Sequence, residues 1–259
     1  MVFSPLKKYR RRRLLATPIS PDWLTYLRNN VALYPVLTDV EQERLCNDLR
    51  VFIAEKNWEG CAGLIMADEM KVTIAAHACL LLLGIEHDYF SRVLSILVYP
   101  TAYRNPRSHI NRDGLIEEDR TGRIGEAWHR GPIVLAWDAV LDDARDPARG
   151  HNVVLHEFAH QLDFLDGLAN GTPPLKNQRQ YSKWHDVLTA EYNKLIRDSE
   201  TGRATVLDQY GGTDPCEFFA VATESFFTQP TQLQRRHPLL YKLLGEYYGQ
   251  HPAARISRG

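Results

Sequence analysis

The chain has 259 residues, 44% of them apolar and 24% charged, with a formal net charge of −1. That length allows one large domain or two small ones, and the composition is that of a globular protein. A charge so near zero provides no global field to recruit nucleic acid or an anionic membrane.

In chain order, the first feature is a basic run, Lys7, Lys8 and Arg10 to Arg13. Leu14-Leu15-Ala16 is followed at once by Thr17-Pro18, so the apolar core of a signal peptide is missing. Residues 1–20 are therefore expected to form a disordered basic tail. Pro21 to Leu27 suits a short helix, and Tyr34-Pro35 marks a break. Thr38 and Glu41 make a capping box, and the helix after it, to about Lys56, carries Leu45, Leu49, Phe52 and Ile53 on one face. Asn57 to Gly63 reads as a loop and Leu64-Ile65-Met66 as a short strand. A very apolar helix follows from Asp68 to Leu83, with Gly84 as its stop. His77 within it reads as a satisfied core histidine. The longest apolar run, Val72 to Ile85, is too short to span a bilayer.

Val93 to Tyr99 reads as a strand. Residues 101–125 form a polar loop with a hairpin around Asp113-Gly114. Ile133 to Trp137 is a short apolar strand, whose edge could accept an extended peptide. Further helices are predicted for residues 152–167, 180–197, 214–228 and 238–248, with a frayed tail from 251 to 259. No repeat or long linker interrupts the chain. The expected fold class is α+β and predominantly helical, with a small sheet, in one compact domain over residues 21–250. Cys46, Cys61, Cys79 and Cys216 are scattered and make no CxxC pair. They predict free thiols in a reducing compartment and hence a cytoplasmic protein.

The chemistry is concentrated between Asn152 and Gly167. Val154, Leu155, Phe158, Leu162 and Leu165 recur at helical spacing, Asn152 can cap the start and Gly167 can end the helix. His156 and His160 are then one turn apart on one face, with Glu157 beside them. This HExxH pattern is a zinc-hydrolase signature: two imidazoles grip one ion, and the glutamate reaches a water on it. A catalytic zinc also needs a third protein ligand. A histidine of the HExxHxxGxxH type is absent, because Asp163 and Asp166 stand at the relevant positions. The helix from Asp214 offers Glu217 and Glu224 instead, on one face and among apolar residues that require a buried carboxylate to have a partner. Glu217 also reads as the third residue after an Asp214 cap, and Glu224 as a surface charge at a helix end. Chemistry alone leaves these two candidates equal. Asp163, one turn after His160, could orient a ligand imidazole.

The segments HEFAHQLD and YGGTDPCEFFAVATESFF, with EKNWEGCAGL, VTIAAHACLLLLG, ILVYP and RGPIVLAW, resemble the Mlc titration factor A family of bacterial zinc peptidases. The C-terminal part also resembles the catalytic domain of anthrax lethal factor. The resemblance implies a zincin-like (gluzincin) core with His156, His160 and Glu217 as zinc ligands. It also implies Tyr210 facing the metal and leaves Glu224 as a supporting residue, while metal chemistry makes Glu157 the general base. The implied activity is aminopeptidase-like hydrolysis of peptides. The family is named for sequestering Mlc, a repressor of glucose-uptake genes, so a non-catalytic regulator that binds such a repressor is the alternative. Direct DNA binding has no recognisable reading motif to support it. Gly211 and Gly212, beside Tyr210, suggest a mobile loop.

Overall fold

The computed structural model describes residues 5–101, 108–110, 116–118 and 131–256. Its fold is helical α+β around a small sheet, of zincin-like type. Three short strands, β1 (Asn57–Gly60), β2 (Ser95–Tyr99) and β3 (Ile133–Ala136), pair in the order β1-β2-β3 and are all parallel. Trp58 lies opposite Ile96, and Ile96 opposite Ile133. A separate antiparallel pair joins Ser108–Ile110 to Ile116–Glu118. This is the expected hairpin, although Asp113-Gly114 lie outside the described residues.

Helix α1 (Pro5–Leu15) overturns the expectation of a disordered tail. Its inward cations are neutralised by acids far away in sequence. Arg11 bonds both Glu55 (2.7 Å) and Asp88 (2.5 Å), and Lys7 bonds Asp88 (2.9 Å). Burial of Arg11 opposes its charge, but these two acids more than offset that and raise its pKa. Helix α2 (Pro21–Asn30) precedes α3 (Asp39–Glu55), which has the capping box read from Thr38 and Glu41. The frayed end expected after His251 is also ordered as far as Ile256: Pro252–Ile256 is helical, Ala253 is buried and Arg255 pairs with Glu41.

Two assignments around the sheet differ. The strand is Asn57–Gly60, not residues 64–66, because its register is set by pairing with β2 and not by its own apolarity. The chain then folds back so tightly that a Cβ on Gly60 would sit 2.0 Å from the Leu64 carbonyl oxygen, while Ile65 is left exposed. The apolar helix α4 (Asp68–Leu80) stops short of Gly84. Gly84 is needed for close approach: a Cβ there would meet the Tyr248 carbonyl oxygen at 2.1 Å.

Helix α5 (Trp137–Arg145) follows β3 directly and was not foreseen. It leads to α6 (Val153–Asp163), which carries the HExxH residues. Helices α7 (Gln178–Glu200) and α8 (Pro215–Thr228) complete the centre. Helices Pro230–Arg236 and Pro238–Tyr248 close the C-terminal side. Phe158 anchors α6, with ring centroids 5.6 Å from Phe52 and 4.7 Å from Phe90. The apolar side of α8, including Phe218, Phe219 and Phe226, is buried throughout. The site is thus held between two core helices, α6 and α8. Among the described residues no helix is long and apolar enough to cross a membrane.

Candidate metal centre

Helix α6 starts where the Asn152 side chain accepts the Leu155 N–H at 3.0 Å, as its cap chemistry predicts. The Asp143 carboxylate also accepts the Val153 N–H at 2.9 Å, which places negative charge at the positive end of the helix. Burial, followed by the nearby charge of Glu224, pushes the Asp143 carboxyl above its ordinary pKa. Helix α8 starts at Asp214, which accepts from the N–H groups of Cys216 (2.8 Å) and Glu217 (3.0 Å), with Pro215 at the first position. Glu217 is therefore both the third residue of its helix and fully buried, 0% exposed.

The two helices bring His156, His160 and Glu217 together, with one ligand atom of each lying within 4.8 Å of the others. His156 Nε2 is 3.0 Å from Glu217 Oε2 and 3.1 Å from His160 Nε2, and His160 Nε2 is 3.3 Å from Glu217 Oε2. Glu224 lies on the opposite side of the His156 ring. His156 Nδ1–H donates to Glu224 Oε1 at 2.7 Å, and the Asn152 backbone N–H donates to Oε2 at 2.6 Å. In the neutral, metal-binding form of His156 that hydrogen bond leaves the Nε2 lone pair pointing at Glu217 and His160. Burial disfavours charge on His156, yet Glu224 and Glu217 prevail and hold its pKa well above the usual imidazole range. Burial likewise opposes the Glu217 carboxylate, but its bonds to His156 and His160 keep it well below the usual carboxylate range.

These residues fit a metal ion. Two imidazole nitrogens and one carboxylate oxygen are a donor set for a catalytic divalent ion. A tetrahedral ion bonded at about 2.0–2.1 Å needs donors about 3.3–3.4 Å apart, close to the spacings observed. With the imidazoles neutral, three lone pairs converge in this buried pocket, an arrangement that a cation between them satisfies.

The other expected residues fall as follows. Glu157 is half-buried beside His156 on α6. Tyr210 sits in a short 3-10 turn, Gln209–Gly212, with its ring centroid 6.2 Å from that of His156. The expected mobility of that turn is not what its glycines provide. Gly211 is buried, and a Cβ there would meet Val221 at 3.2 Å and Leu195 at 3.3 Å, so it allows close packing. The turn is further tied by Asp208 Oδ1, which accepts from the Tyr210 N–H at 2.7 Å, and by the Tyr192 hydroxyl, which donates to the Gly212 carbonyl at 3.2 Å. Asp163 is buried one turn after His160, but no hydrogen bond joins the two among the described residues. Its Oδ2 accepts from the Gly171 N–H (2.9 Å) and from the Cys216 thiol (3.1 Å). It therefore ties the end of α6 to the start of α8.

Asp143 and Cys216 were not foreseen as parts of the site. Asp143 lies on the unforeseen helix α5, and nothing in the sequence marks Cys216 as a partner of Asp163. Behind His156 a cavity of about 20 Å³ lies between Asp143, His151, Asp208, Tyr210 and Glu224. That is room for about one water.

A helical zincin-like fold with this His-His-Glu cluster defines a metallopeptidase-like protein. The profile of the glucose-regulated metallo-peptidase M90 family matches residues 6–249, and the chain belongs to that family. It is 39% identical over 246 residues to the uncharacterised protein slr2042 of Synechocystis, covering 94% of this chain and 89% of that one. It is 32% identical over 231 residues to the Mlc titration factor A of Serratia proteamaculans, covering 88% and 87%. With the Mlc titration factor A of Yersinia enterocolitica it shares 30% identity over 232 residues, covering 88% and 86%. These similarities agree with the family resemblance seen in the sequence motifs.

Proposed function

We propose that the protein is a zinc-dependent peptidase of the HExxH-plus-glutamate type, with a gluzincin-like ligand set, acting on peptides in the cytoplasm. The observation that carries this reading is the convergence of His156 Nε2, His160 Nε2 and Glu217 Oε2 beside Glu157. His156, His160 and Glu217 hold the ion. When bound, zinc supplies Lewis acidity, bringing the pKa of water towards about 7. Glu157 accepts the proton of the attacking water as its oxygen bonds to the peptide carbonyl carbon. Glu157 then delivers that proton to the amine as the C–N bond breaks. The Tyr210 hydroxyl donates to the developing oxyanion. Glu224 fixes the tautomer and orientation of His156. Asp163 positions Glu217 indirectly, through Cys216 at the start of α8. Four free cysteines, two of them buried, suit a reducing compartment.

The direct test is hydrolysis of a mixed peptide library by zinc-loaded protein, followed by chelation and re-addition of zinc. Cleavage that chelation removes and zinc restores is the expected result, and the products report whether it is exo- or endopeptidase action. Absence of cleavage by fully loaded protein would discard the peptidase reading. Tyr210→Phe tests the oxyanion role: kcat is expected to fall about a hundredfold with KM little changed. A change confined to KM would instead assign Tyr210 to substrate packing.

A second reading follows from the printed name of the relatives, Mlc titration factor A. In it the chain binds an Mlc-like transcriptional repressor and regulates sugar uptake by sequestering it. The two activities are compatible in one molecule. Co-purification of such a repressor with the Glu157→Gln variant would establish binding without catalysis.

A further inference from the structure

Away from the metal centre, the junction of α1, α2 and α3 forms an open cavity of about 250 Å³, with Thr17, Pro18, Ser20 and Ala54 exposed at its mouth. Its walls are mostly apolar: Leu14, Ile19, Trp23 and Ile53 contribute most of the large side chains. The exception is Arg50, which lines the cavity and is only 8% exposed. Its Nη2 donates to the carbonyl oxygens of Leu14 and Thr17 and to the Thr17 hydroxyl. Those acceptors are neutral. Among the described residues no carboxylate pairs with Arg50, and its Nε and Nη1 make no hydrogen bond and stay open to solvent.

A guanidinium with little exposure gains from an anion at the N–H groups it leaves open, because a charge-assisted hydrogen bond is strongest where water competes least. Two cations of α1 have such partners: Arg11 and Lys7 are matched by Glu55 and Asp88. Arg50 faces a hollow instead. A second feature of the same hollow favours negative charge. Ser20, the residue before α2, lines it without capping the helix, and its hydroxyl has no partner among the described residues. Asp22, in the first turn of α2, is exposed and does not line the cavity.

We propose that this cavity is a binding site for a small monocarboxylate with a branched or aromatic apolar body. The carboxylate accepts from Arg50 Nε or Nη1 and from the Ser20 hydroxyl, and the apolar body packs on Trp23 and Ile53. One negative charge balances the positive charge of Arg50. A phosphate dianion would exceed it and has no second cation in the lining. The size suits a ligand of this kind, since small-molecule sites are mostly apolar hollows with a few placed polar groups.

The test is titration of the full-length protein with phenylacetate, isovalerate, 2-phenylethanol and inorganic phosphate. Calorimetry and the indole N–H resonance of Trp23, assigned through Trp23→Phe, are the readouts. Phenylacetate or isovalerate is expected to saturate the site and shift the Trp23 resonance. The uncharged 2-phenylethanol should bind at least about tenfold more weakly, and phosphate should leave the resonance unmoved. Arg50→Met should abolish carboxylate binding. Because Arg50 also holds Leu14 and Thr17, Ala54→Phe provides a second variant, filling the cavity from an exposed position while the Arg50 side chain is retained. It too should abolish binding while leaving the thermal transition unchanged. No saturable binding of either carboxylate up to about 10 mM would overturn the proposal. So would carboxylate binding unaffected by Ala54→Phe, or phosphate binding preferred over both carboxylates.

Discussion

Glu157→Gln is expected to keep a full equivalent of zinc and to lower peptide turnover by about a thousandfold. Glu157 shares a helix with His156 and His160 but is not one of the three groups whose donor atoms converge. It is half-buried, and its neutral isostere fits the same space with no new buried charge. The amide can still orient a water but cannot take its proton, and general-base catalysis of this type is worth about 10²–10⁴ in rate. Metal content by atomic emission, measured beside kcat on the same preparation, separates the two properties. Loss of zinc in the variant would make Glu157 a ligand, and retained turnover would move the base elsewhere.

The second large effect is expected at Glu217. Glu217→Ala removes the carboxylate that, alone among the described residues, is in contact with both His156 Nε2 and His160 Nε2, and should leave no stoichiometric zinc after dialysis. Asp214 still caps α8 through the Cys216 and Glu217 backbone N–H groups, so the helix should persist. Glu224→Ala is the informative contrast. It leaves the three converging donors in place and should weaken zinc affinity only about 10–100-fold. It also strands the buried Asn152 N–H, a loss of about 1–3 kcal/mol, and should lower Tm by several degrees. Competition with a chromogenic chelator and a thermal melt read both variants. Tight zinc binding by Glu217→Ala together with zinc loss in Glu224→Ala would exchange the two roles.

The equivalence of Glu217 and Glu224 in the sequence has a physical origin. They are seven residues apart on one face of a helix that is buried from Glu217 onward. Each meets His156, but on a different ring nitrogen. Which nitrogen is a matter of how α8 is rotated and shifted against α6, and no local pattern encodes that. The start of α6 was legible because Asn152 is a cap with a local partner, and the capping box of α3 was legible for the same reason. Helix α5 was not: it begins straight out of a strand, and Ala136 provides no side-chain cap. Strand β1 was hidden because Asn, Glu and Gly have weak β preference, and its partner lies almost forty residues away. Helix α1 was hidden because its repelling cations are matched by Glu55 and Asp88, whose proximity is created by folding.

Glu224 has one oxygen on a ring nitrogen of His156 and the other on the backbone N–H of Asn152. The first turn of α6 and the aim of its first histidine are thereby clamped by one side chain of another helix. Neither helix can slide against the other without releasing both bonds. The Asn152 amide is consequently a built-in strain gauge for the centre. Its exchange with solvent deuterium follows the same opening that frees the imidazole, so the integrity of the site can be followed in the resting protein without substrate.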